Sequence, residues 1–216
     1  MVVVMLFFLV ASAEAALIDR GEGFIYDDVL DVTWTQDANI NGSDTWANQV
    51  AWAAGYSQTH TVYGTFDDWR LPTVTDTGTP GCNFAYTGTD CGYNVDTSTG
   101  EMASLFYDSL GNLAYYDTSA NWPQSGWGLT NTGPFTNLQA GHNVGYFGNE
   151  AEVMGAFAWF FNFHYGNQDR RSKESHNYAL AVRDGDIAPV PEPSTAVLLG
   201  LGLSGLAAKG RRRNRS

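Results

Sequence analysis

Positive charge is what this 216-residue chain has least of: 11 Lys and Arg stand against 23 Asp and Glu. Charged residues make up 16% of it, where a soluble domain carries about a quarter. A surface of that sign offers no basic face to a phosphate backbone, which excludes nucleic-acid binding. Cysteine is scarce too. Cys82 and Cys91 have no CxxC partner pair and no nearby histidine to complete a four-ligand zinc site. The four histidines, His60, His142, His164 and His176, show neither His-x-x-x-His nor His-Glu-x-x-His spacing. There is no Gly-x-Ser-x-Gly elbow and no phosphate-binding loop. A pair of flanking carboxylates could cleave a glycoside, but among so many acids some pair always lies close, so that signal is nearly empty. No catalytic or metal residue is therefore singled out, and no βαβ alternation, internal repeat or heptad is present.

What the chain does have is 12 Phe, 11 Tyr, 7 Trp and 24 Gly. So many rings can fill one sizeable core and argue against intrinsic disorder. Charge is unevenly placed: five of the basic residues (Lys209, Arg211, Arg212, Arg213, Arg215) occupy the last eight positions. Residues 16–189 hold 21 acids against 6 bases, about −15. That break marks a separate C-terminal module. Residues 1–10 are an unbroken apolar run followed by Ala-Ser-Ala-Glu-Ala-Ala, the form of a secretory signal with Ala13-x-Ala15 as cleavage site, or alternatively a buried strand. No Lys or Arg precedes the run, which places the natural start upstream of Met1. The expected organisation is a signal peptide at 1–15, a body at 16–188 and a sorting tail at 189–216.

In that tail, Val190-Pro191-Glu192-Pro193-Ser194-Thr195 leads into an apolar stretch, 195–208, and the basic residues 209–216. Fourteen helical residues span about 21 Å, short of the roughly 30 Å hydrocarbon core. The stretch suits transient residence in the inner membrane, arginines inside, or an ordinary anchor. These parts resemble the tripartite PEP-CTERM sorting signal of Gram-negative bacteria. That resemblance implies an exosortase-type processing enzyme as partner, cleavage near Pro191, Glu192 and Pro193, and delivery to the cell surface or the extracellular polysaccharide matrix. The cysteines suit export: a Cys82–Cys91 disulfide is expected, with two buried free thiols as the alternative.

Within the body, residues 24–26 and 29–35 read as a β-hairpin around an acidic turn. Asp44 or Thr45 caps a helix whose face is Trp46, Val50, Ala53 and Ala54, ended by Gly55. Residues 73–100 hold eight Thr, five Gly and three Asp and read as a long exposed excursion. Thr99 caps a second helix, 101–110, carrying Met102, Leu105, Phe106 and Leu110, with Gly111 after it. Residues 121–134 form a Trp/Gly/Pro loop, 153–165 a central strand, and 176–183 an alternating strand. The order is α+β with an antiparallel sheet and long loops.

The opening from Leu17 to Asn39, the Thr45-Trp46 pair, Asp67-Asp68-Trp69-Arg70-Leu71-Pro72-Thr73 and the closing segments around 159–168 and 178–183 resemble the C-terminal domain of the Legionella collagen-like adhesin. The resemblance covers most of the body and implies a C-type-lectin-like fold that binds glycans. A collagen-like stalk is lacking.

Four ring or cation positions are candidate ligand contacts. Trp69 and Arg70 could pair a stacking ring with an anion clamp, or be core and turn residues. Trp122 and Trp127, with Tyr115, Tyr116 and Tyr146, sit among small polar residues, as a sugar platform requires, or fold back as core lids. The acidic groups Asp27, Asp28, Asp31; Asp67, Asp68; and Asp184, Asp186 could bind calcium, yet no calcium loop and none of the sugar-binding lectin triplets is present, so solvated turns fit them better. The function expected is a non-enzymatic exported domain binding polysaccharide. The alternatives are a purely structural matrix protein and a surface hydrolase.

Overall fold

A computed structural model describes residues 17–78, 80–151 and 155–188. The signal segment, the Pro191-Glu192-Pro193 motif, the stretch 195–208 and the basic tail lie outside these. Among the described residues no helix is long and apolar enough to cross a membrane. The elements run β1 (Leu17–Gly21), β2 (Phe24–Asp27), β3 (Val32–Thr35), α1 (Trp46–Gly55), β4 (Gln58–His60), β5 (Gly64–Phe66), β6 (Phe84–Ala85), β7 (Cys91–Tyr93), α2 (Glu101–Ser104), β8 (Tyr146–Glu150), β9 (Phe157–Asn162), β10 (Asn167–Ser172) and β11 (Val182–Asp184). The described chain is mostly sheet with a few short helices.

A four-stranded antiparallel sheet has the order β1-β2-β3-β11, and a five-stranded sheet the order β6-β7-β10-β9-β8. In the second sheet only the β6–β7 pair is parallel. Strand alternation in the opening hairpin puts Ile25 opposite Trp34. Both enter the main core with Met102, Leu105, Phe106, Phe161 and Phe163, so one core joins the two sheets and α2. Phe24 points the other way, into a smaller cluster with Trp69, Ala181 and Ile187.

Several elements differ from their sequence pattern. On α1 the buried residues are Gln49 and Ala53, while Val50 is 36% exposed. The Gln49 amide donates to the carbonyls of Gly42 at 2.9 Å and Asn177 at 2.8 Å, and those buried acceptors turn a polar side chain inward. The second helix is α-helical only over Glu101–Ser104, then widens into a π turn, Leu105–Ser109, closed by Leu110 N–H to the Leu105 carbonyl at 2.9 Å. Its cap is Gly100, not Thr99, because the Thr99 hydroxyl donates to the Asp96 carbonyl at 2.7 Å.

Only Val182–Asp184 of the closing segment forms a strand. The residues before it thread between the sheets. Tyr178 N–H donates to Gly145 O, Phe147 N–H to Tyr178 O, and Thr35 N–H to Ala181 O, each at 3.0 Å. The excursion 73–100 is also better anchored than its Thr/Gly composition suggests. Asp90 is buried and accepts from the backbone of Thr77 at 2.6 Å and Asn83 at 3.3 Å, and Cys91 is fully buried.

Candidate functional site

The Asp67–Thr73 segment is where α2 and β11 are tied together. Trp69 is 3% exposed; its indole N–H donates to Phe66 O at 3.0 Å and its ring packs against Phe24 and Tyr56. Arg70 makes a two-pronged pair with Glu101 at 2.7 Å and a further one with Asp184 at 2.5 Å. Glu101 first, with Asp184 adding to it, holds the guanidinium well above its ordinary pKa. Glu101 also accepts Thr73 N–H at 2.6 Å, and Asp68 pairs with Arg183 at 2.7 and 2.9 Å. These groups are engaged with one another, although the Asp184 and Asp68 carboxylates are exposed.

Arg70→Met should therefore lower stability by about 1–2 kcal/mol, the worth of charge-assisted bonds at a partly exposed site. Urea unfolding would check this. An unchanged midpoint would mean that the Glu101 clamp holds nothing.

Trp69 and Arg70 also line an apolar groove of about 310 Å³ with Trp46, Val50, Ala54 and Leu71. Its amide, Asn149, is already paired with both the N–H (2.7 Å) and the carbonyl (3.0 Å) of Val74. The groove can hold an apolar group but has little with which to read hydroxyls.

Asp27, Asp31 and Asp186 are likewise occupied. Asp27 is buried against Ser109 (2.9 Å) and the Trp34 indole N–H (3.4 Å), and burial raises its pKa despite those bonds. Asp31 accepts from the Tyr26 hydroxyl at 2.9 Å, and Asp186 pairs with Arg20. Among the described residues, one grouping of three possible metal ligands occurs: Cys82, Cys91 and Asp169. Its two sulfurs are bonded to each other.

A different surface gathers the remaining rings. Phe84, Tyr86, Tyr93, Tyr115, Tyr116, Trp122, Trp127, His142, His164 and Tyr165 touch in series and belong to none of the apolar core clusters. All are exposed or half-buried, with Trp122 at 62% and Phe84 at 50%. Tyr146, by contrast, is fully buried.

Amides hold this ridge in place. Asn94 Nδ2 donates to Tyr86 O at 2.9 Å and Tyr116 O at 3.0 Å. Gln124 Nε2 reaches Tyr116 O at 3.0 Å. Asn162 is 3% exposed; its oxygen accepts from His164 N–H at 2.8 Å and Tyr165 N–H at 3.2 Å, and its nitrogen donates to Gly141 O and His142 O at 3.3 Å.

Alongside Tyr93, Tyr165 and His142 lies a polar cleft of about 180 Å³ with Asn143, Asn167, Asp169, Arg170 and Arg171 on its walls. Burial pushes the Tyr93 phenol up to about 12, and burial, then His142, holds His164 below the ordinary histidine range. At neutral pH both side chains are therefore uncharged. The rings offer flat apolar faces, and the cleft supplies amide and guanidinium donors beside them. Sequence spacing marks Trp122, Trp127, Tyr115 and Tyr116 but misses Tyr86, Tyr93, Tyr165 and the two histidines. Contacts across four separate segments of the chain have no period in the sequence.

Outside the body, the tail decides the destination. Residues 189–213 match the PEP-CTERM protein-sorting motif. A PEP-CTERM motif makes this an exported protein processed by exosortase, passing through the membrane on its way to the cell surface. No curated protein and no solved structure is significantly similar to the chain, so the adhesin-type resemblance of the body rests on the residues that carry it.

Proposed function

We propose that this PEP-CTERM protein carries a non-catalytic, lectin-like domain that binds carbohydrate of the extracellular matrix on the ridge of rings. One observation carries the reading: ten rings, none in a core cluster, are held by side-chain amides, Asn162 among them buried, beside a polar cleft. Apolar sugar faces stack on such rings while hydroxyls meet the polar wall of the cleft, with Asn143 and Asn167 on it. The acids beside the ridge have other work: Asp117 accepts from Asn121 Nδ2 at 2.9 Å and from its own turn, and Asp169 packs behind the disulfide. The C-type-lectin-like reading of the fold draws support from the sequence resemblance and from loops that carry the rings.

Binding to an anionic polymer would run through Arg170, Arg171 and Lys173, whose cations lie over the rings of Phe157, Phe160 and Trp46. Arg70 is already committed to carboxylates.

The test is retention of the oxidised protein on a panel of neutral and acidic polysaccharides, with calcium and with chelator. Trp122→Ala and Trp127→Ala should each weaken binding about tenfold, the loss of one stacking contact, without moving the thermal midpoint of Trp122→Ala. A flat response to every polysaccharide in both conditions would favour a purely structural matrix role.

A further inference from the structure

We infer that the apolar groove beside α1 is the docking place of this chain's own residues 189–193, so that the body covers the Pro191-Glu192-Pro193 part of its sorting motif. Docking there does not depend on carbohydrate binding: the groove shares no lining residue with the polar cleft. Trp46, Val50 and Ala54 line it from α1, spaced four apart and so along one side of the helix. This is the apolar face that the sequence pattern marks, yet the fold buries Gln49 and Ala53 instead. Val50 and Ala54 are left exposed.

The chain leaves the body close to this face. Ile187 is 5% exposed and shares a buried cluster with Trp69, and Ala188 N–H donates to Asp186 at 3.0 Å. The body therefore holds the chain up to residue 188, and Trp69 also lines the groove. Six residues separate Ile187 from Pro193, a reach of up to about 20 Å. A tether this short gives an effective concentration of about a millimolar. An intrinsic affinity of about 0.1 mM then suffices to keep the segment docked roughly nine-tenths of the time.

The chemistry of the segment suits the groove. Prolines at 189, 191 and 193 fix their own φ and push the residue before each toward extended backbone. Such a segment gives up little freedom on docking, and extended proline-rich chain fits aromatic-lined grooves. Trp46 and Trp69 supply the rings here, and no sugar-reading amide competes, since Asn149 is paired with Val74. Glu192 is the one charged residue from 187 to 194. A body with 21 acids and 6 bases repels it over most of its surface. The Lys173 ammonium, however, lies 4.3 Å from the centre of the Trp46 ring and brings positive charge to the groove.

The experiment puts one free thiol into the full oxidised chain, by Val190→Cys in one protein and Ser216→Cys in another, and measures alkylation by N-ethylmaleimide in dodecyl maltoside. The native cysteines are bonded to each other and stay silent. The thiol at position 190 should react about tenfold more slowly than the one at 216, the protection a nine-tenths docked segment gives. Val50→Glu should raise the rate at 190 to that at 216, and Ala54→Glu should do the same. Both are changes at exposed helical positions that leave the thermal midpoint in place. Equal rates at 190 and 216 in the otherwise unchanged chain would overturn the inference. So would slow reaction at 190 that neither groove substitution relieves, because the detergent and not the groove would then cover it. Protection that fades on dilution of the protein would overturn it as well, by placing the segment in the groove of a second copy.

Discussion

Gly92→Ala should destabilise the domain by about 3 kcal/mol or more, through strain at a special backbone position combined with a backbone collision. Gly92 sits in β7 at φ +109, a conformation available to glycine and strained for any side chain. A Cβ there would fall 1.9 Å from the Ala85 carbonyl oxygen and 2.7 Å from the Ala85 nitrogen. Both are backbone atoms, so no rotamer change relieves the contact. Nor can the strands part easily, since Gly92 pairs with Ala85 on one side and Gln168 on the other, next to a cross-linked Cys91. For a domain of this size the thermal midpoint should fall by about 6–12 °C. Gly55→Ala is the control: it has nothing within 4 Å of the added carbon, so its stability should stay level or rise slightly. A Gly92→Ala midpoint within the control's range would show that β6 is not held against β7 in solution. On the proposed carbohydrate-binding reading the same variant should also weaken retention on polysaccharide, because β6 carries Phe84 and leads directly to Tyr86.

How much of this was readable beforehand differs from element to element. The opening hairpin was, because aromatic and β-branched runs flank an acidic turn; that β3 is buried at all four positions was not. The α1 segment was visible as a helix but not its inward face: Gln49 is buried by hydrogen bonds to Gly42 and Asn177, and Asn177 lies far along the chain. The widened turn after Ser104 keeps the spacing of Leu105, Phe106 and Leu110 and so looks α-helical in sequence. Residues 176–181 alternate like a strand, yet they cross between sheets and make only isolated bridges, Asn177 with Asp44 and Tyr178 with Tyr146. Of the ridge, the tryptophans in Gly-rich loops were visible as candidates, since large rings rarely stand beside small polar residues without cause. The amides that hold the ridge, Asn94, Gln124 and Asn162, gave no signal. Their partners are backbone carbonyls and N–H groups of other loops, which sequence spacing does not encode.

Removing the Cys82–Cys91 cross-link should lower stability by roughly 2.5–3 kcal/mol, the chain-entropy value for a loop of this size. The two Cα atoms are 5.2 Å apart with a sequence separation of 9, so the loop is short and the effect modest per bond, but it falls on the segment that bears one end of the ridge. Where the effect acts can be told apart by urea unfolding of the Cys82→Ala/Cys91→Ala pair. If the bond works by restricting the unfolded chain, the midpoint drops while the slope of stability against urea rises, because the unfolded state expands. If it works by packing, the slope stays put, and the loss should track the apolar cluster of Val74, Ala151 and Trp159 around Cys91. Asp169 adds a second expectation. Its carboxyl oxygen lies 3.7 and 3.9 Å from the two sulfurs and is pushed above the usual carboxylate range by burial. In the reduced protein a thiolate at the fully buried Cys91 would lie among Val74, Ala151 and Trp159, and such apolar surroundings disfavour it. Reduced Cys91 should therefore alkylate slowly while the domain is folded, and rapidly only under unfolding conditions. Fast alkylation of the folded, reduced protein would mean that the loop swings open once the bond is gone, and in that case the ring contacts from Phe84 to Tyr116 exist only in the oxidised protein.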